Sequence, residues 1–332
     1  MKTTWKRIVG TAAGLAAAAS LLAGTQAAAE EYPSKPITIV APYSAGGDSD
    51  LAARNLASTV AQYIGQPLVV VNRTGASGVT GSAFVKNAKP DGYTLLLARV
   101  GSQAVTPALQ PNIPYKWNDF TFLGLLELNP YGCAVKPDSP YKTMQELIEA
   151  IKKNPGKLSY STAGVGTIHQ MGPQMLFSIL NLPKDAATQV PFKGGGEAST
   201  ALLGGHVDFG CANIGTMINY IRAGQLRPLM VTTPERFPEL KDVPTARELG
   251  YPDMEVITGW SALYGPPGMD KALVAKWSEA LALLAKDKSW VKLTSQLGSV
   301  PQIKTPAETE AFAKRQFETY DKLGRELGLR KE

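Results

Sequence analysis

Residues 37–54 constrain the fold of this chain more than any other stretch. Ile37-Thr38-Ile39-Val40-Ala41 is a short apolar run, Gly46-Gly47 follows, and Asp48-Ser49-Asp50 opens a segment with apolar residues at helical spacing. The pattern predicts a buried strand, a glycine turn and a helix over Asp50–Ile64, capped by Asp48, Ser49 or Asp50. Leu56, Val60, Tyr63 and Ile64 share one face of that helix and Gly65 stops it. The first N–H groups of such a helix have no partner within it, and the positive end of its dipole stands behind the turn. The stretch reads as a seat for an anion; the plainer alternative is a surface turn in an α/β sheet.

Upstream, Lys2, Lys6 and Arg7 precede an apolar run from Ile8 to Leu22 and the small residues Ala27-Ala28-Ala29. This is the pattern of a secretory signal peptide over residues 1–29, cleaved near Ala29. A retained anchor is the weaker reading, because Gly10, Thr11, Gly14 and Ser20 dilute an already short run. Removing those three basic residues lowers the formal charge of +6 by three, too mild a balance to suggest nucleic acid or a membrane surface as partner. Cys133 and Cys211 lie in apolar strand-like runs, where export permits either a disulfide or two buried thiols. With His169 and His206 as the only histidines, and neither Cys-x-x-Cys nor His-Glu-x-x-His spacing, no metal site and no cofactor are expected.

Strand and helix patterns alternate from the first strand onward: Leu68–Asn72, a helix near Ser77–Lys86, and Tyr93–Ala98. Such alternation means a mainly parallel sheet flanked by helices, with the loops after its strands on one rim. Each loop carries small residues: Thr74, Gly75, Ala76, Ser77 and Gly78 after the second strand, and Gly101, Ser102 and Gln103 after the third. The apolar run Thr121–Val135, broken at Asn129-Pro130, reads as a crossing into a second lobe. There a helix over His169–Leu180 follows the loop Thr162-Ala163-Gly164-Val165-Gly166-Thr167, and Lys193-Gly194-Gly195-Gly196 precedes another helix. Val256–Tyr264 reads as the return crossing, after which three helices end the chain. The expected division is residues 30–130 and 256–332 for one lobe and 131–255 for the other, with a hinge at the crossings.

Little here suggests catalysis. Gly-x-Ser-x-Gly is absent, and His169, a helix-start residue after a glycine loop, reads better as a donor than as the base for Ser102 or Ser161. Gly164-Val165-Gly166-Thr167-Ile168-His169 lacks the third glycine of a dinucleotide fingerprint, and the lysine of Lys193-Gly194-Gly195-Gly196 precedes its glycines, unlike a Walker loop. Both loops are better read as backbone amide seats.

A series of runs, weak singly and specific in this order, extends over the mature length. They are Tyr32-Pro33-Ser34-Lys35-Pro36-Ile37, Gly46-Gly47 with Asp50, Ala53 and Arg54, Asn72 with Gly75-Ala76, Gly78 and Gly81, and Asp91-Gly92-Tyr93-Thr94-Leu95-Leu96. Then come Leu203-Gly204-Gly205 with Val207-Asp208, Ala223-Gly224 with Arg227-Pro228-Leu229, Val243-Pro244-Thr245 with Glu248 and Gly250, and Trp260 ahead of Pro266-Pro267-Gly268. In these the chain resembles the Bug (TctC-like) solute-binding proteins of tripartite tricarboxylate transporters. The resemblance implies a two-lobed type II periplasmic binding protein, not an enzyme. It would act as a monomer in the periplasm, holding a small organic carboxylate in its cleft for a membrane permease. By position it points to Ala45, Gly46, Gly47, Asp48 and Ser49 facing residues 162–167. The other glycine loops line the rest, together with Tyr43 and Asn213 at their strand ends.

Two positions depart from the family pattern. Asp48 stands where a small residue or proline is commoner, so it either caps the helix or meets an ammonium group on an amino-acid or monocarboxylate ligand. Past His169 the chain reads Gln170-Met171-Gly172-Pro173-Gln174, which reshapes that helix. Arg99 at a strand end is either a carboxylate clamp or a partner for an acid such as Asp48, and His169 is a second donor that could confer pH dependence. A dicarboxylate is the expected ligand, an aromatic one such as terephthalate among the candidates; a secreted hydrolase is the remote rival.

Overall fold

A computed structural model describes residues 31–331; the signal peptide expected at residues 1–29 lies outside the described residues. β1 (Ile37–Ala41), α1 (Asp48–Ile64), β2 (Leu68–Asn72), α2 (Val79–Lys86) and β3 (Thr94–Arg99) form the opening α/β unit. In α1, Leu56, Val60 and Ile64 are buried and Tyr63 half-buried, each full burial contributing about 1.5–3 kcal/mol. Gly65 ends the helix at φ 91°, its N–H bonding Ala61 O at 2.9 Å. The helix starts two residues earlier than predicted, and no side chain caps it. Gly47 is its N-cap, and Asp50 instead accepts the Gly46 N–H at 3.0 Å.

A short α3 (Thr106–Leu109) leads to β4 (Thr121–Asn129), Pro130 and β5 (Tyr131–Val135), where the chain passes from one sheet to another. The second sheet is built with α4 (Met144–Lys153), β6 (Ser159–Thr162), α5 (Ile168–Ile179), β7 (Thr188–Pro191), α6 (Gly195–Leu203), β8 (Phe209–Asn213), α7 (Ile218–Arg222) and β9 (Arg227–Val231). The chain returns through β10 (Gly259–Gly265), then α8 (Lys271–Leu284), α9 (Lys288–Gln296), β11 (Val300–Lys304) and α10 (Pro306–Glu326).

The first sheet has the order β11-β4-β10-β3-β1-β2 and the second β7-β6-β8-β5-β9. Both are mixed rather than purely parallel, because the crossing strands run against their neighbours: β10 is antiparallel to β3 and β4, and β5 to β8 and β9. Asn129 lies opposite Gly259, so the two crossings sit side by side. Cys133 and Cys211, opposite each other on β5 and β8, form a disulfide in the core of the second sheet. β11 is the one strand the sequence pattern did not signal: a short edge strand containing Pro301. Among the described residues no helix is long and apolar enough to cross a membrane.

Candidate ligand site between the lobes

Three helices aim their first turns at one interlobe cavity. α1 supplies Asp48 and Ser49, α5 Ile168 and His169, and α6 Gly195. No side chain caps any of the three. In each, the third helical residue turns back to the amide four positions earlier. Asp50 takes Gly46 N–H at 3.0 Å, Gln170 takes Gly166 N–H at 2.7 Å, and Glu197 takes Lys193 N–H at 3.1 Å. The loop is pinned while the opening N–H groups of the helix stay free of side-chain caps, so three positive dipole ends converge.

The cavity measures about 30 Å³, room for roughly two waters. Its size reflects lobes shut on each other, backbone against backbone. A Cβ on Gly196 would lie 2.9 Å from Gly47 N and against Ala45 O, and one on Gly194 would lie 2.6 Å from Ser44 N. Only glycine permits that approach. Ser77 Oγ donates to Val165 O at 2.6 Å, Thr106 Oγ1 to Gly166 O at 2.8 Å, and Asn213 Nδ2 to Asp48 Oδ2 at 2.5 Å, all between the lobes.

Of the residues singled out from sequence, Tyr43, Asp48, Ser49, Arg99 and Gly101 line the cavity from the first lobe. Ala163, Thr167, His169, Gly195 and Asn213 line it from the second. Ala45 and Gly46 instead border a separate outer groove of about 510 Å³ beside Phe192 and Tyr220. Ser102 and Gln103 do not reach the cavity. They are fully buried in the first lobe, where Gln103 Nε2 donates to Ser82 Oγ at 2.9 Å and Ser102 O accepts from Tyr115. Lys193 is exposed, Thr162 Oγ1 accepts from Gln189, and Thr74 and Ala76 lie on the loop that brings Ser77 to Val165. Gly47, Gly164, Gly166 and Gly194 shape the loops without lining the cavity. Val100, Ile168 and Thr216 line it unannounced, being apolar or small residues beside recognised ones.

Asp48 neither caps the helix nor stands free for an ammonium group. Its Oδ2 accepts from Arg99 at 2.9 Å as well as from Asn213, so Arg99 is here the partner of an acid rather than an unengaged clamp. Burial raises the Asp48 carboxyl above its usual range, against the pull of Arg99 and Asn213. Sequence reasoning missed Glu127, a buried acid whose Oε1 lies 3.9 Å from Arg99 and accepts from Asn129 and Ser261. Its signal was available as the single charge inside the apolar run of β4. Burial also pushes its carboxyl upward. His169 is pushed down to about 3, first by burial and then by Arg99, so it is neutral at physiological pH and gives the site no switch between pH 5 and 8. Three buried polar atoms on the lining have no hydrogen-bond partner: Ser49 Oγ, His169 Nδ1 and Asn213 Oδ1. No cluster of three or more His, Cys, Asp or Glu suited to a metal occurs among the described residues.

Two α/β lobes joined by paired crossings and shut over a small cavity are the build of a periplasmic binding protein. The chain belongs to the tripartite tricarboxylate transporter family of receptors, whose model matches residues 52–329. It is 32% identical over 305 residues to protein BugT of Bordetella pertussis, covering 91% of this chain and 92% of that protein. The solved structure of the periplasmic binding protein BugD is 33% identical, with a TM-score of 0.85 over 91% of this chain and all of that one. MatC of Rhodopseudomonas palustris with bound malate is 28% identical (TM-score 0.82; 88% and 99% covered). An R. palustris protein with adipate is 25% identical (TM-score 0.85; 90% and 99% covered). The family is one of binding receptors rather than enzymes, and its members are periplasmic binding proteins.

Proposed function

We propose that this protein, exported by cleavage near Ala29, captures one small organic dicarboxylate as a monomer and delivers it to the permease of a tripartite tricarboxylate transporter. The observation that carries the reading is the meeting of three uncapped helix N-termini with the unpartnered Ser49 Oγ and His169 Nδ1 around one cavity. Free N–H groups, dipole ends, a hydroxyl and an imidazole nitrogen able to donate suit a carboxylate. Malate and adipate, bound by the two R. palustris relatives, both carry two carboxylates. Tyr43 is the one phenyl-bearing residue on the lining, which favours an aliphatic ligand over an aromatic one such as terephthalate.

The cavity lies between lobes shut on each other, so entry requires the lobes to part about the paired crossings. Residues 31–130 and 256–331 then move as one body and 131–255 as the other. Calorimetry of the mature protein against malate, adipate, terephthalate, matching monocarboxylates and amino acids tests the reading, with product analysis after long incubation. Saturable heat at one ligand per chain, ligand unchanged and a smaller radius of gyration by X-ray scattering are expected. Turnover of the ligand, or heat from amino acids alone, would contradict it.

A further inference from the structure

Arg99 is one base held among two acids. Its Nη2 donates to Asp48 Oδ2 at 2.9 Å, and its Nη1 donates to Ser261 Oγ and lies 3.9 Å from Glu127 Oε1. Side-chain exposure is 4% for Arg99, 8% for Asp48 and 5% for Glu127. Glu127 is fixed on β4 beside the crossing, accepting from Asn129 Nδ2 at 3.0 Å and Ser261 Oγ at 2.8 Å. The charged groups bearing on it are Arg99 from β3 and Asp48 from α1. From β10 comes only Ser261, from β4 Asn129, and behind Asn129 stands Ser299. His169 bears on Arg99 from the second lobe and is neutral.

With both acids ionised the cluster carries one surplus negative charge. The dipole of α1 offsets roughly half of it. A ligand carboxylate entering the cavity that Asp48 and Arg99 line, with Glu127 behind them, adds to the surplus in a setting where water screens poorly. Of the two acids, Asp48 makes the closer pair with Arg99 and a second bond to Asn213, so Glu127 is the one more readily neutralised.

We infer that Glu127 sets the charge this site accepts: capture of an anionic ligand is coupled to uptake of one proton from solvent onto Glu127. Before binding, the cluster holds ionised Asp48, ionised Glu127 and cationic Arg99. Afterwards it holds the ligand anion, ionised Asp48, cationic Arg99 and neutral Glu127. This rests on the carboxylate reading. Because the bound form favours the protonated acid, affinity is highest at low pH and falls as pH rises, by up to tenfold per unit for one proton.

Two measurements test it. Calorimetry with malate and adipate between about pH 6 and 8 should show affinity rising as pH falls in the wild type, with proton uptake evident from buffers of different ionisation heat. Glu127→Gln should bind at the low-pH strength throughout, with no slope. Asp48→Asn, which also removes one acid, should lose the slope too and serves if Glu127→Gln fails to fold. A flat wild-type profile, or an unchanged slope in either variant, overturns the inference. Carbon-13 titration of the carboxyl groups in the ligand-free protein is independent of any ligand. Glu127 should titrate above the exposed glutamates, and titration among them overturns the inference even if neither malate nor adipate binds, a result that would count instead against the carboxylate reading.

Discussion

The longer helices of this protein divide by how they treat their N-termini. α4, α8, α9 and α10 are each capped by their own side chain: Thr143, Asp270, Asp287 and Thr305, the last in a full capping box with Glu308. α1, α5 and α6 carry Gly47, Thr167 and Gly194 at that position, with no side-chain cap, and these three meet at the interlobe cavity. A cap is worth about 1 kcal/mol, and its omission at one place three times over leaves backbone donors available to something outside the chain. The difference teaches that stability and recognition draw on the same orphan N–H groups; among the described helices of nine residues or more each end serves one or the other, while the eight-residue α2 is uncapped and lies away from the cavity.

The largest effect is expected at the glycine contact that shuts the cleft. Gly196→Ala places a methyl group against Ala45 O and Gly47 N only when the lobes close. Overpacking of this kind costs about 1–3 kcal/mol, so ligand affinity should fall by roughly 5- to 150-fold, while the ligand-free melting temperature stays put. Loss of stability without loss of affinity would place Gly196 with the capped helices instead.

Acid sharpens the comparison next. His169 at the start of α5 is neutral in the folded protein, titrating near 3, whereas the unfolded chain binds its proton near 6.5. Stability from this group is therefore intact above about pH 6.5 and is lost as pH falls, by about 1.4 kcal/mol per unit, or about 2 kcal/mol by pH 5. Urea unfolding over that range should show the slope in the wild type and a flatter line in His169→Gln; equal slopes would mean that His169 is not shielded.

Thr305→Ala removes the cap of α10 and should lower stability by about 1 kcal/mol in a denaturant melt without changing ligand affinity. Ser49→Ala should do the reverse. Its hydroxyl is buried without a partner, so its removal should leave the ligand-free protein as stable or slightly more so, and weaken ligand by roughly 0.5–1 kcal/mol in calorimetry. A stability loss in Ser49→Ala would show that the hydroxyl has a structural bond.

What the sequence revealed follows the same division. Period and punctuation gave the first strand, glycine turn and helix, the alternation around both sheets, and the crossing at Asn129-Pro130, because burial and turn geometry are local. Placement of Tyr43, Asp48, Ser49, Arg99, His169 and Asn213 at the cavity followed from loops sharing one rim. Side-chain direction was not legible. Gln103 turns to Ser82 because the segment Gly101–Val105 is wound as a buried π-turn, and Asp48 turns to Arg99 and Asn213 rather than to its own helix. Glu127 and Ser261, 134 residues apart, meet only because β4 and β10 pair, and no local pattern encodes that pairing.

The most direct test is the amide spectrum of the mature protein saturated with the tightest binder of a panel that includes malate and adipate. The N–H resonances of Asp48–Asp50, Ile168–Gln170 and Gly195–Glu197 should move together on binding, while those of Met144–Glu146, Ala272–Val274, Ser289–Val291 and Ala307–Thr309 stay where they are. Movement confined to the capped helices, or saturation that leaves the three uncapped first turns unmoved, would contradict the assignment of the interlobe cavity as the carboxylate seat.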